Sequence, residues 1–276
     1  MLVNGEYKDT IAIMDRGFQY GDGLFETIEV RQNTPIFLEQ HLQRLSNDSR
    51  RIHLPMLDLE LLRSEIKQLC QNSGNAVLKI IITRGSGGRG YRQPDDIQPT
   101  RILSLYPFPD YPQNYYSDGI VARICDTRLG LNPILAGIKH LNRVEQVMAR
   151  AEWNEATIQE GIMLDINRHV IEGTMTNVFY VKKKALYTSP LKDCGIAGII
   201  RSWIMESQIR LLFPIFEQDF FIDDLFGADE IFVCNSVIGI WGIRKLEKHR
   251  YTVGKITKQL QLALENEKQK QVALCN

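Results

Sequence analysis

The chain carries no net charge. Its 276 residues hold 33 Lys plus Arg against 33 Asp plus Glu, so no overall field draws it to nucleic acid or to an anionic membrane. It has no apolar run long enough to cross a bilayer. The opening residues Met1-Leu2-Val3-Asn4-Gly5-Glu6 lack a basic segment followed by an apolar core, so no secretory signal is expected. Cysteines are scarce and scattered: Cys70, Cys125, Cys194, Cys234 and Cys275 form no CxxC pair, no disulfide pattern and no Cys/His set with metal spacing. The expectation is a cytoplasmic protein without a metal. There is no Gly-Lys-Ser/Thr, so a nucleotide phosphate loop is excluded. A literal G-x-G-x-x-G does occur at Gly85, Gly87 and Gly90, but Arg92-Gln93-Pro94-Asp95-Asp96 follows. A dinucleotide fingerprint needs a helix to open there, and this stretch breaks helices. No internal repeat or low-complexity tract is present.

A hydrophobic fraction of 44% suits a globular protein, and the length exceeds one minimal core. Pro107, Pro109 and Pro112 follow one another with Asp110 and Tyr111 between them. This break predicts a smaller N-terminal domain over 1–112 and a larger C-terminal one over 113–276.

Asn4-Gly5 signals a hairpin. Asp15-Arg16-Gly17 and Gly21-Asp22-Gly23 read as turns, and residues 24–30 as a half-buried strand, with Phe25 and Ile28 set against Glu26 and Glu29. Phe37, Leu38, His41, Leu42 and Leu45 mark one face of a helix over 37–53, with Arg44 beside that face. A second helix is expected over 57–72. Ala76-Val77-Leu78-Lys79-Ile80-Ile81-Ile82-Thr83 is the clearest strand. It runs into a glycine-rich loop whose Arg84, Arg89 and Arg92 either grip a carboxylate or lie on a mobile surface. Arg101–Tyr106 and 119–124 read as further strands. The C-terminal half shows a hairpin around Asn167-Arg168 and a strand over 178–181. Cys194-Gly195-Ile196-Ala197-Gly198-Ile199-Ile200-Arg201 reads as a small-residue loop that opens an amphipathic helix through Trp203, Ile204, Ile209, Leu211 and Leu212. A strand then ends at Asn235-Ser236, and a polar amphipathic helix over 254–270 is placed on the surface.

Leu135-Ala136-Gly137-Ile138-Lys139 ends a short apolar run in a lysine, and Leu141, Val144, Val147, Met148 and Ala151 then recur at helical steps to about Asn154. A part-buried lysine favours its neutral amine, the form that makes a Schiff base. On local pattern alone a solvated lysine is the commoner outcome. Glu172, between an apolar pair and Gly173, could equally be an edge-strand carboxylate. A glycine-containing turn at a helix N-terminus, as at Gly198, can bind an anion.

A lysine, a carboxylate, an arginine, a helix-opening glycine turn and a strand-end serine in this order suit pyridoxal 5′-phosphate. That cofactor needs a lysine for its aldehyde, an acid at its ring nitrogen, and cations, N–H donors and a hydroxyl for its phosphate. The order resembles the class IV aminotransferase family, the fold type IV pyridoxal-phosphate enzymes. The resemblance runs from Asp15-Arg16-Gly17-Phe18-Gln19-Tyr20-Gly21-Asp22-Gly23 to Asn235-Ser236. Thr83-Arg84-Gly85-Ser86-Gly87-Gly88-Arg89-Gly90-Tyr91 and Ala136-Gly137-Ile138-Lys139-His140-Leu141-Asn142-Arg143 carry it.

The resemblance implies an α/β (α+β) two-domain fold like that of D-amino-acid aminotransferases, and a cytoplasmic homodimer. By it, Lys139 is the Schiff-base and catalytic lysine. Glu172 pairs with the pyridine nitrogen, and Arg44, Gly198, Ile199, Ile200, Asn235 and Ser236 hold the phosphate end. Phe25, Thr27, Arg89, Tyr91 and Arg101 become substrate contacts. Ile200 stands where several branches carry threonine, and Ile240-Trp241-Gly242 where a proline is frequent. The likeness is greatest to the branch that converts 4-amino-4-deoxychorismate to 4-aminobenzoate and pyruvate. The D-amino-acid branch carries Arg-x-His where Arg89 and Tyr91 stand here, and the missing histidine argues against it. The competing readings are a D- or branched-chain aminotransferase and a cofactor-free binding protein on the same scaffold. RNA binding through Arg84, Arg89, Arg92 and Tyr91 is weaker, because the chain is neutral and lacks further basic-aromatic interleaving.

Overall fold

Asn4 and Gly5 both adopt positive φ, 52° and 84°, and turn strand β1 (Leu2–Val3) back onto β2 (Glu6–Tyr7). That two-residue geometry is the one Asn-Gly favours in a hairpin. The computed structural model describes residues 1–206 and 211–275. The chain divides into two units: Met1–Pro109 with Lys139–Asn142 and Lys268–Asn276, and Asp110–Ile138 with Arg143–Glu267. The division falls within the proline-rich stretch, three residues before the boundary expected at 112.

The first unit continues with helix α1 (Arg16–Tyr20), strands β3 (Gly23–Arg31) and β4 (Thr34–Pro35), and helices α2 (Leu38–Arg51) and α3 (Leu59–Cys70). Strands β5 (Ala76–Thr83) and β6 (Thr100–Pro107) complete it. Its six strands lie in the order β2-β1-β6-β5-β3-β4. Leu78, Ile80 and Ile82 of β5 and Leu24 and Ile28 of β3 are buried, together with Leu42, Leu45, Leu62 and Ile66 of the two helices. Each such side chain contributes roughly 1.5–3 kcal/mol by leaving water.

Two expectations change here. The turn expected at Asp15-Arg16-Gly17 is the start of α1, because the Asp15 carboxylate caps the Gly17 N–H at 2.8 Å. In β3 the polar residues are not on the open side: Glu26 is 0% exposed and Phe25 only half-buried. The even-numbered residues face the helices, so Glu26 shares the core side with Leu24 and Ile28.

The second unit holds α4 (Asn114–Ser117), β7 (Ile120–Leu129), α5 (Val144–Arg150), β8 (Glu160–Asp165), β9 (Val170–Gly173), β10 (Asn177–Lys182) and β11 (Ala185–Thr188). It continues with α6 (Ile199–Glu206), β12 (Ile215–Glu217), α7 (Ile222–Phe226), β13 (Glu230–Asn235), β14 (Gly239–Leu246), β15 (His249–Arg250) and α8 (Lys255–Cys275). The last residues of α8, from Lys268 on, belong with the first unit. Pairings β10–β13, β13–β14, β14–β7, β7–β8 and β8–β9 would leave an open sheet. A further pairing, Asn177 with Glu172, joins β9 to β10 and closes the ring. Ile120, Ile162, Val178, Val233 and Ile243 fill the core of this unit. Trp241 is part of it at 1% exposure, ringed edge-on by Tyr111, Tyr115 and Tyr116 at 4.8, 5.3 and 6.0 Å.

Helix α5 is shorter than its periodicity suggested. It begins only at Val144, and Val144, Val147 and Met148 are 70%, 66% and 58% exposed. Trp203 and Ile204 lie in α6, Ile209 lies outside the described residues, and Leu211 and Leu212 are exposed. Helix α8 is not simply a surface element, since it buries Ile256, Leu260, Leu264 and Lys268. The Lys268 ammonium sits 2.5 Å from Glu29 in the first unit.

Candidate active site

Within the first unit, Lys139–Asn142 run beside the start of β3. The Phe25 N–H donates to the Lys139 carbonyl at 3.1 Å, and the Leu141 N–H to the Gly23 carbonyl at 3.0 Å. The Lys139 N–H donates to Asp48 Oδ2 of α2 at 3.0 Å. Both polar groups of the Lys139 backbone are therefore held, and its half-buried side chain starts from a fixed origin. Its Nζ lies 4.1 Å from the centre of the Phe25 ring. These bonds explain why a stretch expected in the C-terminal domain belongs with the first unit.

Helix α2 brings a buried charge cluster to the same unit. Arg44 grips Glu26 with two prongs, Nε to Oε1 at 2.9 Å and a terminal nitrogen to Oε2 at 2.5 Å. His41 Nδ1 lies 2.6 Å from Oε2 of the same carboxylate. Burial alone would push the Glu26 carboxyl up, but the Arg44 guanidinium and His41 outweigh it and hold it at about 2. Burial lowers the His41 pKa, against the pull of Glu26. Its buried Nε2 has no hydrogen-bond partner among the described residues. Burial raises the Asp48 pKa, opposed by the Lys139 N–H.

The glycine-rich loop splits its arginines. Arg84 is 2% exposed; it donates to Asp22 at 2.8 Å and to the carbonyls of Ile52 and His53. Arg84 thus braces the loop. Arg89 and Arg92 are exposed, and Arg92 pairs with Asp95. Tyr91 is 88% exposed and meets the Tyr20 ring edge-on at 5.6 Å. Arg101 is committed to Glu65 at 2.8 and 3.2 Å. Phe25 and Thr27 share the side of β3 opposite Glu26 and are half-buried.

In the second unit, Glu172 is 3% exposed. Its Oε2 accepts the Ile196 N–H at 2.8 Å, and Gln146 Nε2 approaches Oε1 at 3.4 Å. Asn177 takes the other side of the same residue, donating Nδ2 to the Ile196 carbonyl at 2.8 Å, while its Oδ1 accepts the Gly198 N–H at 3.1 Å. Gly137 adds two backbone bonds: its N–H to the Gly195 carbonyl, and its carbonyl from the Ala197 N–H. The turn before α6 is pinned at every step. A Cβ on Gly198 would lie 2.1 Å from Asn177 Oδ1, so any larger residue must displace that side chain and its bond to the Gly198 N–H.

Helix α6 opens with Ile199 and Ile200. Its first N–H groups lack intrahelical acceptors, which leaves those of Ile199 and Ile200 as donors. The Ile200 side chain is fully buried, so that residue can offer nothing else. Asn235 uses its side chain locally, accepting from the Val237 and Ile238 N–H groups and donating to the Met175 carbonyl. This shapes the turn that presents the half-buried Ser236.

Several residues here had no sequence signal. Glu160 is fully buried and accepts from the hydroxyls of Thr174 and Thr176 and the N–H groups of Gly161 and Thr174. It shapes the loop after Glu172. Burial raises its pKa and those four donors oppose the rise. Glu26, His41, Asp48 and Asn177 were likewise silent, because each acts through a partner distant in sequence.

Each unit carries groups that suit pyridoxal 5′-phosphate: the first a backbone-anchored lysine and an arginine, the second a buried carboxylate suited to a ring nitrogen and N–H and hydroxyl donors suited to a phosphate. Burial pushes the Cys70 thiol up to about 11 and those of Cys125, Cys194 and Cys234 up to about 12, which disfavours the nucleophilic thiolate at these four. Among the described residues no His/Cys/Asp/Glu group could hold a metal ion, and no helix is long and apolar enough to cross a membrane.

A family model described as amino-transferase class IV matches residues 23–246. An aminodeoxychorismate lyase of Vibrio harveyi is 34% identical over 94% of this chain and 97% of its own. The crystal structure of 4-amino-4-deoxychorismate lyase from Pseudomonas aeruginosa is 44% identical, covers 96% of this chain and 98% of its own, and superposes with a TM-score of 0.92. A D-alanine aminotransferase of Bacillus licheniformis is 27% identical over 96% of each chain.

Proposed function

The chain belongs to the class IV aminotransferases, enzymes that work with pyridoxal 5′-phosphate, and on that premise we propose that it is a lyase converting 4-amino-4-deoxychorismate to 4-aminobenzoate and pyruvate, a step toward folate. The observation that carries this reading is the identity to lyases of that name, 44% and 34%, against 27% to a D-alanine aminotransferase, all over nearly the full length. Tyr91, in place of the histidine of the D-amino-acid branch, supports it.

When bound, pyridoxal phosphate supplies an electron sink for charge developing at the substrate carbon beside the amine. With the cofactor bound, Lys139 Nζ would hold its aldehyde, and as a free amine the same Nζ would take the C4 proton and return a proton to the enolpyruvyl methylene as the C–O bond breaks. The leaving three-carbon unit is pyruvate, and the ring that remains is aromatic. Glu172 would keep the pyridine nitrogen protonated, and the half-buried Arg143 on the same unit adds a cation near that carboxylate. Ile199 and Ile200 offer backbone N–H groups to the phosphate, Ser236 its hydroxyl and Arg44 its guanidinium. The fixed Lys139 backbone limits where Nζ can reach, which favours one proton position over another.

We take the working form to be a homodimer. The exposed stripe of Val144, Val147 and Met148 on α5 supports this, because contiguous apolar surface of that kind marks an interface. The deciding experiment supplies 4-amino-4-deoxychorismate to the cofactor-loaded protein with no keto acid present. Pyruvate is read through its reduction by lactate dehydrogenase. Stoichiometric pyruvate and 4-aminobenzoate are expected. A requirement for added keto acid, with amino-group transfer to it, would replace this reading with an aminotransferase.

A further inference from the structure

The second unit has a further pocket, open to solvent, of about 390 Å³ and with a strongly basic lining. The half-buried Lys245 and the exposed Arg244, Arg250 and Lys258 line it, against one carboxylate, Asp118. We propose that this cavity is an anion site for a small phosphorylated molecule, with a diphosphate group as the recognised part.

Two placements of charge here are unfavourable on their own, and a bulge adds a further cation. Lys245 and Arg250 are register partners across the β14–β15 hairpin, and like charges directly opposite on antiparallel strands repel. Lys258 stands in the first turn of α8, where a cation opposes the helix dipole. Arg244 is the extra residue of a bulge: Ile243 pairs with Ile120 and Lys245 with Val121, so one residue of β14 has no counterpart on β7. A bulge re-aims a side chain, and here the re-aimed side chain is a fourth cation. In a chain of zero net charge, such a gathering is a local choice and not a reflection of composition.

The nearby carboxylates are used elsewhere. Glu247, in the hairpin turn, accepts the Ile124 N–H at 2.7 Å. Glu230 caps α8 through the Ile256 and Thr257 N–H groups. Asp118 accepts the Ser117 hydroxyl at 2.8 Å. Among the described residues, none of the four cations makes an ion pair.

Size and charge select the ligand class. A volume of 390 Å³ lies within the roughly 300–1,000 Å³ usual for small-molecule sites. Four cations against one carboxylate leave an excess of positive charge that a single phosphate ester, at about −1.5 to −2, does not match as well as a diphosphate does. The two guanidinium forks suit phosphate oxygens in pairs, and the two ammonium groups add point charges. The Tyr251 hydroxyl donates to the Leu225 carbonyl at 3.1 Å, which fixes its ring as a wall.

The test titrates inorganic diphosphate into the cofactor-loaded protein, so that the cofactor's own phosphate site is filled. Calorimetry and thermal unfolding are the readouts. Saturable binding and a ligand-dependent rise in Tm are expected for the wild type. Arg244→Ala should weaken binding about tenfold to a hundredfold, the loss of one charge-assisted contact. Lys245→Glu should do two things at once: raise the Tm of the ligand-free protein by replacing a repulsion with an attraction, and abolish the diphosphate-dependent rise. Lys258→Ala, on a different element, should also weaken binding. Lyase turnover should be unchanged in all three. Absence of saturable binding to the wild type overturns the proposal, as does binding as tight as the wild type's by both Lys258→Ala and Arg244→Ala. Citrate binding as tightly as diphosphate overturns the assignment of ligand class.

Discussion

Glu172 and Asn177 are register partners at the pairing that closes the second unit's ring of strands, and both hold Ile196, one by its N–H and the other by its carbonyl. Closing the sheet and fixing the turn before α6 are thus one event. It follows that the Glu172 carboxylate is oriented by the fold before any cofactor arrives. Glu172→Gln preserves the shape but lowers the group's ability to keep a pyridine nitrogen protonated. We expect retained cofactor and a loss of about 10²-fold or more in kcat, the scale of one key electrostatic contact. Single-turnover rates on the loaded protein measure this, and wild-type turnover would remove Glu172 from the role.

Gly198 tests the other half of the clasp. An alanine Cβ would sit 2.1 Å from Asn177 Oδ1, so either the Gly198 N–H bond or the start of α6 must shift. Overpacking of this kind costs about 1–3 kcal/mol. Gly198→Ala should weaken cofactor affinity, read by equilibrium dialysis, with a smaller effect on the fold than on binding. Unchanged affinity would show that the first N–H groups of α6 do not serve the phosphate.

Lys139→Ala removes the amine while leaving its backbone bonds to Asp48, Phe25 and the start of β3 available. The visible absorbance of lysine-bound cofactor should vanish, together with essentially all turnover. The same band in the wild type should be abolished by borohydride. A variant that keeps the band would place the covalent link on another lysine.

The Glu26–Arg44–His41 cluster makes a pH prediction. A carboxyl moved from 4.5 to about 2 on folding stabilises the folded state by about 3 kcal/mol at neutral pH, at about 1.4 kcal/mol per tenfold change. Because the folded pKa is depressed, that stability is present above pH 4.5 and is lost as pH falls toward 2. Glu26→Gln leaves Arg44 without its buried counter-ion, which costs about 3–5 kcal/mol. Urea unfolding at pH 7 and at pH 3 should show a large difference between wild type and variant at the higher pH and a smaller one at the lower. Equal differences at both would mean the cluster contributes through packing alone.

The sequence was most legible where one local rule dominates. The Asn4-Gly5 turn and the β-branched run of β5 stand where turn chemistry and strand propensity put them. Glu26 was misread because alternation places polar residues on a wet face, and nothing local announces that Arg44 and His41, 18 and 15 residues on, will neutralise one on the dry face. Val144, Val147 and Met148 mark an apolar face, but periodicity does not say what covers it. Asn177 and Glu160 act through main-chain groups and hydroxyls of neighbouring loops, a pattern with no residue-type signature. Lys139 and Glu172 drew attention through their order along the chain and not through their surroundings.

Substrate grip separates two arginines. The substrate of the proposed reaction carries two carboxylates, and a neutral chain must attract them locally. Arg101 is already engaged with Glu65, at 2.8 and 3.2 Å, and recruiting it would mean breaking that pair. Arg89 is exposed at the tip of the loop that Arg84 and Asp22 brace from below, so a firm base carries an open guanidinium. A charge-assisted contact is worth about 1.5–3 kcal/mol, or about tenfold to a hundredfold in affinity. Arg89→Ala should therefore raise KM by that factor while leaving the visible spectrum of the bound cofactor intact. Arg89→Lys should recover only part of the loss, because an ammonium cannot reproduce the planar fork. Arg101→Ala should instead lower stability, leaving Glu65 buried without its partner, and should change KM little. A normal KM for Arg89→Ala together with a raised one for Arg101→Ala would reverse the assignment.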